Sequence, residues 1–142
     1  MSARAQKLQP AIDQARQYSE EALEQLAAQQ QRLAKAEYQL EELRSYRQEY
    51  AAAGDGVMAV GALLNRQKFV ERIDQAVAQQ LVEISRLQRQ LEQVRRRWHQ
   101  AHARESALGS VIDRYREQER QAEDRREQSD SDERSQYRHS RR

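Results

Sequence analysis

Two uninterrupted heptad ladders, separated by one glycine-bearing break, decide what this chain can fold into. On the first, steps of four and three residues land on Leu8, Ile12, Ala15, Ser19, Ala22, Leu26, Gln29, Leu33, Ala36, Leu40, Leu43, Arg47 and Tyr50, ten of thirteen apolar. The second runs through Val70, Ile73, Val77, Gln80, Ile84, Leu87, Leu91, Val94, Trp98, Ala101, Glu105, Leu108, Ile112 and Tyr115, twelve of fourteen apolar. A repeat of about 3.5 residues keeps one narrow apolar seam facing a partner helix as the two supercoil. The spacing predicts an all-α fold, a long two-helix antiparallel coiled-coil hairpin.

Composition excludes the usual alternative. Charged residues make up 34% of the 142 and aromatic residues 6%, which leaves enough apolar side chains for a seam and too few for a globular core. Helix breakers agree, because the glycines are Gly54, Gly56, Gly61 and Gly109, with three of the four in the central break.

Domain boundaries follow from the ladders. Residues 1–9 are expected to fray, with Pro10 in the first turn, where its missing N–H would have no partner anyway. Helix 1 is expected over about 8–53, on the order of 65 Å long at 1.5 Å per residue. A turn over about 54–57 follows, where Gly54 can adopt the left-handed cap and Asp55 can accept free N–H groups. Helix 2 is expected over about 58–123. The stretch 124–142 has almost no apolar residue to offset its ordering entropy and is expected to be disordered or a frayed helix. A turn centred near Gly56 and Val57 makes facing residue numbers add to about 113. Leu40 would then lie beside Ile73, Ala36 beside Val77, Leu26 beside Leu87, Ala15 beside Trp98 and Ile12 beside Ala101.

The function classes narrow in the same way. The chain has no cysteine, so it offers neither a disulfide frame nor a thiolate metal site. Charged residues from Arg4 to Glu24 interrupt any apolar leader, and no run approaches the roughly 20 apolar residues of a membrane span. A cytosolic protein is expected. No phosphate-binding glycine loop, nucleophile elbow or acid pair is present, so no enzyme, cofactor or metal role is expected. His99, His102 and Glu105 share one helix face at spacings of three, yet a fourth zinc ligand is not evident, and solvated polar residues beside the seam explain them better.

Two further constellations remain. Residues 86–104 carry Arg86, Arg89, Arg95, Arg96, Arg97 and Arg104 against Glu92 alone, a local charge of +5. This fits a solvated outer face or docking on an acidic protein surface. Nucleic acid is disfavoured, because a basic zipper keeps its basic region clear of the seam, whereas Leu87, Leu91, Val94 and Trp98 run the heptad through these arginines. Near the break, Gln39, Leu43, Tyr46 and Tyr50 recur at steps of 4,3,4, as do Phe69, Ile73, Ala76 and Gln80. Tyr46, Phe69 and Ala76 lie off the ladders, so they form either a widened core or an aromatic surface patch of the kind that takes a partner.

The stretch QLEELRSYRQEY (39–50), the glycine-bearing turn, Asn65, Phe69 and AVAQQ (76–80) resemble the FliJ family of flagellar export proteins, over roughly residues 8–120. The resemblance implies a cytosolic, non-enzymatic central stalk of the flagellar type III export apparatus, similar to the coiled coil of the rotary ATPase γ subunit. It implies insertion into the hexameric export ATPase FliI and contact with the cytosolic region of the export gate FlhA, with export chaperones as further candidates and peripheral association with the inner membrane. Carried over by motif, the gate-facing residues are Gln39, Leu43, Tyr46, Tyr50, Phe69, Ile73, Ala76 and Gln80, although family members commonly carry histidine or another polar residue where Gln80 stands. The ring-facing residues are assigned regionally, to Arg95, Arg96, Arg97 and Arg104. A self-associating structural coiled coil is the alternative, ahead of a nucleic-acid binder.

Overall fold

The computed structural model describes residues 3–52 and 59–140. It contains two helices, α1 (Ala3–Ala52) and α2 (Val60–Ser140). The expected turn at 54–57, with Gly54, Asp55, Gly56 and Val57, lies outside the described residues. The fold is all-α, and the helices pack against each other in two compact units. The central unit is Ala22–Trp98; the terminal unit combines Met1–Glu21 with His99–Arg142.

Burial follows the ladders closely. From Leu8 to Leu43 every first-ladder position is buried or half-buried, and so is every position of the second. In the central unit Ala36, Leu40, Ile84 and Leu87 form a buried cluster, with Leu33 and Val77 packed against it. Burying a leucine or isoleucine fully stabilises by about 1.5–3 kcal/mol, so a few such rungs dominate the pairing. Among the described residues no buried side-chain nitrogen or oxygen lacks a partner.

Helix α1 begins earlier than its sequence suggests. It starts at Ala3 and carries Pro10 inside it, so residues 3–9 are helical rather than frayed. An interior proline costs about 3 kcal/mol through its lost hydrogen bond and ring clash. Tertiary burial offsets this in the terminal unit, where Ala5 and Ile12 on either side of Pro10 are buried with Ile112, and Leu8, Leu108 and Tyr115 pack around them. The Arg4 guanidinium lies 5.7 Å from the centre of the Tyr115 ring and holds the first turn further.

The second correction concerns register. In the central unit Gln29 reaches Leu87 and Gln80 reaches Ala36, pairs that each add to 116. Gln29 with Gln90, Gln39 with Gln80 and Tyr50 with Phe69 add to 119, and Arg47 with Asp74 adds to 121. In the terminal unit Ile12 meets Gly109 at 3.6 Å instead of the expected Ala101, and Arg16 meets Glu105 at 3.7 Å; both pairs add to 121. The helices are therefore antiparallel in each unit, about one heptad away from the expected register of 113.

A slip of one heptad leaves both ladders apolar, so apolar spacing does not distinguish the two arrangements. Polar matching does. At 113, Gln29 would face Ile84 and Gln80 would face Leu33, whereas the observed register matches amide with amide. At 119, Ala52 lies level with Gln67, so Val60 to Arg66 precede the position level with the last described residue of α1. Their apolar side chains stay in water, with Val60 and Leu64 more than half exposed.

At the other end α2 continues to Ser140, so the stretch left between disorder and frayed helix is helical to that residue. Every side chain from 123 to 139 is exposed, and none joins the seam.

Candidate functional site

The eight residues singled out near the break all belong to the central unit, and the observed register lines them up. Gln39 touches Gln80 and Tyr50 touches Phe69, pairs that add to 119, and at the same sum Leu43 is level with Ala76 and Tyr46 with Ile73 between them. At one end the Gln80 amide donates to the Ala36 carbonyl at 2.8 Å and to Gln39 Oε1 at 3.2 Å. At the other the Tyr50 and Phe69 rings lie with centroids 4.3 Å apart and planes tilted by 33°. Aromatic pairs of this kind contribute about 0.5–1.5 kcal/mol beyond area burial.

Tyr46, Tyr50 and Phe69 remain 53%, 41% and 40% exposed, so the aromatic residues sit at the surface rather than in a widened core. Ile73 is different. It is only 6% exposed because it belongs to the seam, and Leu43, Ala76 and Gln80 are half-buried. Gln39 is exposed as well, so the surface available to a partner is three aromatic side chains and the Gln39 amide over a packed floor.

The edge is fixed from below. Tyr50 lies in the last described turn of α1. Arg66 Nε donates to the Tyr50 carbonyl at 2.5 Å and so caps α1 from α2. Arg47 and Asp74 form a two-point pair across the same helices, Nε to Oδ1 at 2.5 Å and Nη2 to Oδ2 at 3.5 Å. The Asp74 carboxylate, by hydrogen bond first and by charge second, raises the Arg47 pKa. Polar ties on either side of the aromatic rungs restrict sliding and leave little ordering to be done on binding.

The basic stretch divides. Arg95 Nη1 and Arg96 Nε each stand 3.5 Å from the Glu92 carboxylate, while Arg97 is exposed. Arg104, also exposed, belongs to the terminal unit. Arg86 is engaged by Glu83, and its guanidinium holds that carboxyl below its usual range through the hydrogen bond. Exposed pairs within one helix are weak, so Arg95 and Arg96 can exchange Glu92 for a partner's carboxylate at small cost. As for metal binding, Glu105 lies beside Arg16, and no cluster of three metal-ligating side chains occurs among the described residues.

The sequence reading overlooked Arg32 and Lys35. They line a groove with Gln39 on α1 and with Gln80, Glu83 and Arg86 on α2. The signal was present, since steps of three and four carry the row from Tyr50 and Tyr46 through Leu43 and Gln39 back to Lys35 and Arg32.

Among known families, the model of the flagellar FliJ protein matches residues 4–142, nearly the whole chain. No curated protein and no solved structure matches the chain. No helix among the described residues is long and apolar enough to cross a membrane.

Proposed function

Because the chain belongs to the flagellar FliJ family, and is thereby a flagellar export-related coiled-coil protein, we propose that it is the non-enzymatic coupling stalk between the export ATPase and the export gate. In this reading it works at the cytoplasmic face of the inner membrane, held there by its partners. The exposed aromatic edge of Tyr46, Tyr50 and Phe69 is the observation that carries the proposal. An exposed aromatic group on a rigid floor is the form that binding hot spots take, because rings bury large area at small entropic cost.

The gate-facing set is Gln39, Leu43, Tyr46, Tyr50, Phe69, Ile73, Ala76 and Gln80, acting on the cytosolic region of FlhA. Within it the three aromatic residues are the contacts, and Ile73 and Gln80 support them from the seam. Arg95, Arg96, Arg97 and Arg104 face the FliI hexamer, where acidic loops would take over the arginines that Glu92 now holds loosely. Export chaperones are further partners of the same protein.

The test is a binding assay with the gate's cytosolic region and with the ATPase in parallel. Alanine at Tyr46, Tyr50 and Phe69 is expected to abolish gate binding and motility while ATPase binding persists; a variant that keeps both gate binding and full motility refutes the assignment. Reversing Arg95, Arg96 and Arg97 is expected to do the opposite, with helicity retained.

A further inference from the structure

We propose that the aromatic edge and the groove lined by Arg32 and Lys35 form one docking strip. Its protein partner presents an apolar socket to Tyr46, Tyr50 and Phe69 and, beside it, a patch of aspartate or glutamate to the two cations. The inference rests on the reading of the edge as gate-binding, and names the chemistry of the surface that reads it.

Three observations support this. The groove ends at the Gln39–Gln80 rung and the aromatic edge begins two rungs further on at Tyr46, so they follow one another along one flank of the central unit. Within the groove the carboxylate is Glu83, and Arg86 already engages it through both Nε and Nη2. Arg32 and Lys35 therefore face the groove without a carboxylate of their own there. The opposite flank of α1 carries Glu37, two residues from both Lys35 and Gln39 and about 200° around the helix, while Glu41 and, across on α2, Asp74 are paired there with Arg44 and Arg47. A partner is thereby oriented as well as attracted, since turning it over would set like charges together.

A lipid surface would also supply negative charge. The observations favour protein, because the Gln80 amide fixes the rung at which the groove ends and the aromatic side chains form a compact cluster rather than a continuous apolar helix face.

The experiment measures association and dissociation of the full chain with the isolated cytosolic region of the gate at two ionic strengths. Arg32→Glu with Lys35→Glu is expected to slow association about tenfold near 0.05 M salt, narrowing to within about twofold near 0.5 M, with dissociation nearly unchanged. Phe69→Ala is expected to act on dissociation instead, and Glu37→Lys, on the opposite flank, not to slow association. Circular dichroism checks that each variant keeps its helicity. If the double reversal associates as fast as wild type at low salt while Phe69→Ala still loses binding, the strip is refuted and the gate reading stands. If the gate region does not bind the wild-type chain, the reading falls and the strip with it. If the reversal abolishes binding to vesicles of anionic phospholipid but leaves gate association intact, the cations serve lipid and the proposal is overturned.

Discussion

Replacing Gln29 and Gln80 together by leucine is expected to leave the helices paired but to release their register. In the native pairing the buried Gln29 amide donates to the Leu87 carbonyl at 3.4 Å and to Gln90 Oε1 at 3.0 Å, and the Gln80 amide makes the corresponding two bonds to Ala36 and Gln39. The pairing at 113 sets these amides against Ile84 and Leu33, where each loses its partners at a cost of about 1–3 kcal/mol. Together the two exclude the slipped pairing by about 2–6 kcal/mol, and the middle of that range is roughly a thousandfold. Leucine at both positions removes the penalty, and because it exchanges hydrogen bonds for apolar burial the overall stability should change by less than about 2 kcal/mol. The chain has no cysteine, so introduced pairs report directly. Leu43→Cys with Ala76→Cys samples the native rung at 119, and Leu43→Cys with Val70→Cys samples the one at 113. With both glutamines present only the first pair should crosslink; with both leucines the two pairs should crosslink to comparable extents. A double-leucine chain that still crosslinks only through 43 and 76 would show that the glutamines do not set the register.

Further outcomes follow from single contacts. Gly109→Ala is expected to stabilise by about 0.5–1 kcal/mol in urea unfolding, because alanine is the better helix former, and Gly61→Ala, in the first turn of α2, by less. The space allows both: a Cβ at 109 meets Ile12 Cδ1 at an ordinary 3.6 Å, and one at 61 meets nothing within 4 Å. Arg66→Ala should speed hydrogen exchange in the last turn of α1, since the capped Tyr50 carbonyl loses its donor. Unchanged exchange there would remove Arg66 from the account of how Tyr50 is placed. Glu83 and Glu117 have pKa values lowered mainly by hydrogen bonds from Arg86 and Arg120. Their folded values lie below the unfolded one, so their contribution is present above pH 4.5 or so and lost as pH falls through the folded values. Glutamine at both positions should flatten that part of the helicity profile.

The seam was legible because it depends on one property, apolarity at a 3.5-residue repeat, and the burial of Ile73, Ile84, Leu87 and Ile112 follows from it. What local rules missed was decided by tertiary contacts. Pro10 reads as a helix start on propensity, but the packing of Ala5 and Ile12 on Ile112 carries α1 through it. Tyr46 and Phe69 were visible as departures from the ladders, and the place of Ile73 on the second ladder already marked it as part of the seam.

Register is the link between these levels. Heptads are degenerate under a slip of seven, so the apolar ladders specify that α1 and α2 pair and leave open which rungs meet. The degeneracy is lifted by the few ladder positions that break the pattern: Gln29, Gln80, Arg47 and Glu105 each find a polar or charged counterpart in the observed register. Together with the buried Ser19, these four interrupt an otherwise apolar seam and read in isolation as flaws. Moving Gln80 level with Gln39 also sets Phe69 level with Tyr50, and Tyr46 with Ile73, so the residues that fix the pairing also assemble the aromatic edge. A slip of one heptad would keep the coiled coil and scatter the surface. The polar exceptions in the seam are therefore part of what makes the exposed edge a single site.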